Sequence, residues 1–302
     1  MSDILKVRNL TKDFKELRAV DDLSFSVKEG EVYGFLGQNG AGKSTTIRML
    51  LTLIAPTDGY IEIFGMPLHQ KRKEILRQVG AIIEKPDLYR YLTGFENIRL
   101  FSRLSGVKTT DNQIREELAR VGLADRAESK VRTYSQGMKQ RLGLACALVH
   151  NPKLIILDEP TNGLDPQGIA DMRRMIIHLS KDLGKTLLVS SHLLSEMEMV
   201  ADSMLIINKG RKVVEGKVQE LINPVNSIVE LKTSDTAVAT SFLENSSWKT
   251  CLLPSVNGTI RLDLKKTDIP EFNRQLVAHG VAVQSLRPVH SLEEFFLSQT
   301  RE

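Results

Sequence analysis

Cysteine is scarce in this chain, and long apolar runs are missing. Only Cys146 and Cys251 occur in 302 residues, too few for a disulfide scaffold. Cys146, within Leu144-Ala145-Cys146-Ala147-Leu148, reads as a small buried hydrophobe. No apolar stretch approaches the roughly 20 residues that a membrane-spanning helix needs, so any membrane work is expected to fall to a partner. The opening Met1-Ser2-Asp3-Ile4-Leu5-Lys6 lacks a basic-then-apolar export pattern, and a cytoplasmic location is expected. There is no internal repeat or low-complexity tract. The charge excess is only +4, which argues for neither anionic lipid nor nucleic acid as a partner. What is present is ordinary for a globular protein, 41% hydrophobic and 26% charged, with room for one large domain and a small one.

Against that background, Gly37-Gln38-Asn39-Gly40-Ala41-Gly42-Lys43-Ser44 fits the phosphate-loop pattern G-x-x-x-x-G-K-[ST]. The apolar strand Val32–Leu36 runs into it and a helix, Thr45 to Leu53, is expected to leave it, which is the context the pattern requires. Gly37, Gly40 and Gly42 let backbone N–H groups face phosphate oxygens. Asn39, Ala41 and Thr45 belong to the same nucleotide-binding stretch. Lys43 supplies a point charge and Ser44 a hydroxyl for Mg²⁺, and the helix start adds its positive dipole end. Downstream, Leu154 to Leu157 is an apolar strand ending in Asp158 and Glu159. A carboxylate at Asp158 suits Mg²⁺, and Glu159 suits proton abstraction from an attacking water.

Between these lies Thr133-Tyr134-Ser135-Gln136-Gly137-Met138. Ser135 is a good N-cap for a helix from Gln136 to Val149, and an ordinary cap explains it without function. The alternative is that this helix start receives an anion. Ile4 to Val7 and Leu23 to Val27 alternate as half-buried strands with turn residues between them. Asn112 to Val121 has helical apolar spacing. Thr186 to Ser190 reads as a buried strand after a helix from Gly168 to Leu183.

Taken together, the phosphate loop, the Ser-Gly helix start, Leu157-Asp158-Glu159-Pro160-Thr161-Asn162-Gly163-Leu164-Asp165 and Ser191-His192 resemble the ATP-binding subunit of an ABC transporter over about residues 4 to 220. The resemblance implies an α/β P-loop NTPase cassette with a parallel-sheet core, an antiparallel β-subdomain and a helical subdomain at about 85–150. It implies ATP and Mg²⁺ as cofactors, and two copies that sandwich nucleotide beneath integral membrane permease subunits on the inner face of the membrane. On that likeness Ser135 and Gly137 would meet the γ-phosphate bound by the partner copy. Asp165 would order the dimer seam, His192 would hold γ-phosphate and water together, and Phe14 would stack on adenine.

Two departures stand out. Tyr134-Ser135-Gln136-Gly137-Met138 replaces the family's Leu-Ser-Gly-Gly-Gln. Glu84, after a strand expected at Val79 to Ile83, stands where the family has a metal-contacting glutamine. A glutamate there is similar to exporters of lantibiotics and bacitracin-like peptides. The expected function is therefore an ATPase that powers export of a peptide antibiotic, drug or lipid-linked compound, with no nucleic-acid partner. A non-transport ATPase on ribosomes or DNA, or a nucleotide switch, is the alternative. Residues 1–222 are expected to form the cassette and 223–302 an accessory domain, with a boundary near Asn223-Pro224. There, strand Ser227–Thr233, helix Asp235–Leu243, strands Trp248–Leu253 and Thr259–Leu264, helix Ile269–His279 and strand Val281–Leu286 give a ferredoxin-like α+β order. A closing helix is expected at Leu292–Ser298.

Overall fold

Alternating and continuous apolar patterns sort into different sheets. This computed structural model describes residues 2–222, 226–256 and 259–289, and the chain divides into two compact units between Lys217 and Val218. The expected boundary at Asn223-Pro224 and the closing helix Leu292–Ser298 lie outside the described residues.

The first unit opens with a long antiparallel pair, β1 (Asp3–Phe14) and β2 (Leu17–Lys28). The turn expected between the two strands falls at residues 15–16, and both strands run longer than their alternating segments. Asn9 and Asp22 take φ values of 48° and 51°, and Asn9 Nδ2 donates to Asp22 Oδ1 at 2.7 Å, so these irregularities are bulges in a continuous pair. After β3 (Val32–Leu36) and α1 (Lys43–Leu50), strands β4 (Asp58–Ile63) and β5 (Met66–Pro67) complete the sheet in the order β2-β1-β4-β5. Helix α1 stops short of the expected Leu53, because Thr52 turns into the left-handed region at φ 57°.

The second sheet carries the chemistry. Its strands β6 (Val79–Ile82), β7 (Leu154–Asp158), β8 (Thr186–Ser191), β9 (Ser203–Asn208) and β10 (Arg211–Lys217) join β3 in the order β10-β9-β3-β8-β7-β6. All pairs are parallel except the β9–β10 edge. Every residue of β3, β7 and β8 is buried, as continuous apolar runs covered on both faces should be. Register pairs Leu36 with Ser191 and Asp158 with Ser190. The carboxyl ends of these strands therefore share one edge, where open α/β sheets bind ligands.

Helices α2 (Leu68–Leu76), α3 (Gly94–Leu104), α4 (Asp111–Arg120) and α5 (Gln136–Leu148) lie between β5 and β7. Capping boxes start α3 (Thr93 with Glu96) and α4 (Thr110 with Gln113). Phe95, Ile98, Ile114 and Leu118 then pack with Leu142 and Cys146 of α5. Burial drives the Cys146 thiol well above its ordinary range, leaving an inert apolar side chain. Helices α6 (Pro166–Lys181) and α7 (Leu194–Val200) follow β7 and β8. Among the described residues no helix is long and apolar enough to cross a membrane.

The second unit begins at helix α8 (Val218–Ile222). It continues through β11 (Asn226–Thr233), α9 (Thr236–Glu244), β12 (Leu252–Val256), β13 (Thr259–Lys265), α10 (Ile269–Ala278) and β14 (Val283–Val289). The sheet order β12-β13-β11-β14, antiparallel throughout, is the ferredoxin-like arrangement. The strand expected at Trp248–Leu253 is displaced, for Ser247–Cys251 is a 3₁₀ turn capped by Ser246. Trp248 sits edge-on to Phe272 at 5.2 Å and donates its indole N–H to Gln275 Oε1 at 2.8 Å. Tertiary packing overrides its local β preference. The last strand likewise starts at Val283, after Gly280 turns at φ 76°.

Phe272 is fully buried at the centre of this unit's core. Phe272→Ala should cost about 3–5 kcal/mol, read as a lowered urea midpoint for the second unit. A midpoint unchanged from the parent would show that the core is not organised around that ring.

Candidate functional site

The phosphate loop leaves β3 and closes into α1 under tight steric control. Gly42 takes φ 105°, and a Cβ there would lie 2.6 Å from the Ala19 carbonyl oxygen. A side chain at Gly37 would come within 2.7 Å of the Ile207 carbonyl oxygen. Only glycine allows these backbone approaches. Lys43 is 5% exposed, and its ammonium donates to Gly37 O at 2.6 Å and Gln38 O at 3.3 Å while sitting 3.1 Å from Glu159 Oε1.

From Lys43 the contacts continue through the acids. Glu159 Oε2 is 2.8 Å from His192 Nδ1. A carboxylate accepts, so the imidazole donates from Nδ1. Glu159 takes φ 50°, a conformation that costs on the order of 1–3 kcal/mol outside glycine. Its N–H donates to Ser190 Oγ at 2.9 Å, and Ser190 Oγ donates to Asp158 Oδ1 at 2.6 Å. Asp158 is fully buried, and its other oxygen, Oδ2, has no hydrogen-bond partner. An orphaned buried carboxylate oxygen is what a hard cation or its water shell would satisfy. No group of three His, Cys, Asp or Glu gathers around a point among the described residues. A cation here would have to share its coordination with phosphate oxygens, and Ser44 and Asp158 fit that chemistry.

Phe14, Asn39, Gly40, Gly42, Lys43, Ser44, Thr45, Glu84 and Glu159 all line one cavity of about 770 Å³. Phe14 is 47% exposed at its wall, with Lys12 Nζ 5.0 Å from the ring centroid. Gly37 and Ala41 are the buried members of the loop that do not line the cavity, while Asp158 and His192 join through Ser190 and Glu159. Ser135 and Asp165 stand apart as exposed helix caps. Ser135 Oγ accepts from Met138 N–H at 3.2 Å, and Asp165 Oδ1 accepts from Gly168 N–H at 2.9 Å. Gly137, in the first turn of α5, has no atom closer than Leu164 Cδ2 at 4.0 Å to an added Cβ, so that helix face is open. Of this helix start, Gln136 alone reaches the cavity.

Two residues of the site were not anticipated. Ser190 looked like the polar end of a strand; only its register opposite Asp158 gives the hydroxyl its double task. Arg48, on α1, holds Glu84 Oε1 through Nη2 at 2.6 Å. Glu84 itself takes φ 55°, a left-handed turn that follows β6 and carries the carboxylate to the cavity wall. Both partners are solvent-exposed, so the pair contributes little to stability; it fixes where the extra charge of Glu84 sits.

The comparisons with known proteins agree with this geometry. Residues 20–162 match the family model described as ABC transporter. The bacitracin transport ATP-binding protein of Bacillus licheniformis is 42% identical, covering 98% of this chain and 97% of that protein. A lantibiotic transport ATP-binding protein of Streptococcus pyogenes is 40% identical, over 70% of this chain and 90% of that one. Among solved structures, a dimeric ATP-binding cassette in a post-hydrolysis state with ADP and Pi superposes with a TM-score of 0.64 at 25% identity, covering 71% of this chain and 98% of that one. The chain belongs to the ABC transporter family, as an ATP-binding subunit with ATPase activity.

Proposed function

We propose that this chain powers export of a peptide antibiotic of the bacitracin or lantibiotic kind, working as a homodimer against integral membrane permease subunits at the inner face of the membrane. The observation that carries this reading is similarity to the bacitracin transport protein along almost the whole of both chains. A non-transport role on ribosomes or DNA gains no support from relatives that are transport proteins by name.

The residues divide the work as follows. Backbone N–H groups of the phosphate loop and the α1 dipole receive phosphate oxygens. Lys43, released from Glu159 by an incoming phosphate, shifts its charge to the outer phosphates. Ser44 and Asp158 would hold Mg²⁺, which would offset charge on the outer phosphates, and Glu84, now paired with Arg48, would be a further ligand. Glu159, freed on its Oε1 side and held by His192 on the other, takes the proton from water. Phe14 offers a ring face to adenine. Ser135 and Gly137 cap the nucleotide bound by the other copy, with Asp165 at the seam. Their exposed, outward-facing helix start fits a contact completed by a second copy.

Removing a general base typically costs ~10²–10⁴ in rate. Glu159→Gln should lose turnover on that scale, keep ATP binding, and accumulate as an ATP-bound dimer in light scattering. A monomeric variant with parental turnover would remove Glu159 from that role. Sharing of sites makes a stricter demand. Lys43→Ala and Ser135→Trp should each be inactive alone, yet hydrolysis should return when the two variants are mixed, because one site of each mixed dimer is then intact. Mixtures that stay dead, while parental copies form active dimers, would contradict the sandwich. Glu84→Gln should raise the Mg²⁺ concentration for half-maximal turnover by roughly two- to fivefold, the scale of one exposed charge contact. Equal losses in nucleotide affinity and turnover would argue that Glu84 does not serve the metal.

A further inference from the structure

One half-buried carboxylate lies behind the hydrolytic pair. Glu196, in the first turn of α7, presents a single oxygen to two hydroxyls. Thr161 Oγ1 donates to its Oε2 at 2.7 Å and Ser191 Oγ at 3.0 Å. Arg173 borders the same small cavity, yet no salt bridge joins it to Glu196 among the described residues. A partly desolvated charge held by two neutral hydroxyls is a costly way to fill space, and an apolar side chain would do so at lower cost. What an apolar side chain cannot do is fix two loops against each other.

The two loops are those that carry the chemistry. Thr161 follows Glu159 by two positions, in a turn where Asn162 N–H donates to Glu159 O and Leu164 N–H to Thr161 O, each at 3.1 Å. That turn leads directly to the Asp165 cap. Ser191 immediately precedes His192. Its carbonyl accepts Gly37 N–H from the phosphate loop at 3.2 Å, and its Oγ accepts Leu193 N–H at 3.0 Å. One carboxylate oxygen thus joins the loop after β7 to the end of β8, whose Ser191 carbonyl in turn holds the phosphate loop.

We infer that Glu196 is a positioning residue for hydrolysis: it ties the loop carrying Glu159 to the loop carrying His192, and with them the turn that leads to the dimer seam. This rests on the roles proposed for Glu159 and His192. Misplacing reacting groups by about 1 Å costs on the order of 10²-fold. Glu196→Ala should therefore lower kcat by roughly ten- to a hundredfold with KM for ATP unchanged.

Glu196→Gln should stay near the parent, because its amide oxygen can accept both hydroxyls. Thr161→Val combined with Ser191→Ala should reproduce the loss, and adding Glu196→Ala to that pair should cost nothing further. In a Glu159→Gln background, Glu196→Ala should reduce the ATP-bound dimer fraction in light scattering while ADP affinity is retained. Parental kcat in Glu196→Ala, damage by glutamine equal to that by alanine, or a rise in KM alone would overturn the inference. If Glu196→Ala does not fold, parental kcat in the Thr161→Val, Ser191→Ala variant overturns it instead. Undiminished turnover in Glu159→Gln alone would instead remove the underlying reading, whatever the Glu196 variants do.

Discussion

The hydrolytic end of the sheet depends on the register between two neighbouring parallel strands. Because Asp158 of β7 pairs with Ser190 of β8, one buried hydroxyl can donate to the Asp158 carboxylate and accept the N–H of Glu159. Side chains alternate faces along a strand, so a slip by one residue would replace Ser190 with Val189 or Ser191. Val189 has nothing to donate. The Ser191 hydroxyl is committed to Glu196. Parallel pairing is thus what gives Asp158 a fixed oxygen and leaves its other one free for a cation.

The same hydroxyl bears on the strain at Glu159. A left-handed glutamate is unfavourable, but its N–H is satisfied by Ser190 and its carboxylate is gripped from both sides by Lys43 and His192. The turn aims the side chain back over the phosphate loop instead of continuing along the strand. The backbone conformation and the Lys43–Glu159–His192 contacts are therefore two aspects of one arrangement. Local strain is tolerated where surrounding bonds over-determine it.

The sequence made the phosphate loop legible because its chemistry restricts residue type at each position: glycine where backbone must approach, lysine and a hydroxyl where phosphate and metal bind. The apolar run into Asp158-Glu159 was legible for the same reason. The partners of those residues were not. Ser190 and Arg48 are an ordinary strand-end serine and an ordinary helix arginine until the fold brings them to Asp158 and Glu84, each more than 30 residues away in sequence. The β1–β2 pair runs well beyond the alternating segments Ile4 to Val7 and Leu23 to Val27, through Asn9 and Asp22, which local pattern does not mark as strand. Their side-chain bond across the pair makes them bulge residues. Trp248 misled in the opposite sense, since an aromatic with β preference was claimed by Phe272 and Gln275.

Charge balance explains how a glutamate is accommodated at position 84. Three carboxylates stand at or next to a cavity that must accept a polyphosphate: Glu159 and Glu84 line it, and Asp158, adjacent to Glu159, is buried. Left unmatched, they would repel it. Lys43 is held against Glu159 and Arg48 against Glu84, so two of the three are neutralised before any ligand arrives, and Asp158 is answered on one oxygen by a hydroxyl. The remaining pull on phosphate comes from groups that carry no formal charge, the loop N–H donors and the α1 dipole. On the proposed roles, moving Lys43 onto phosphate would release Glu159, and moving Glu84 toward a cation would release Arg48. Loading of the site would then be coupled to the state of the base through these two ion pairs.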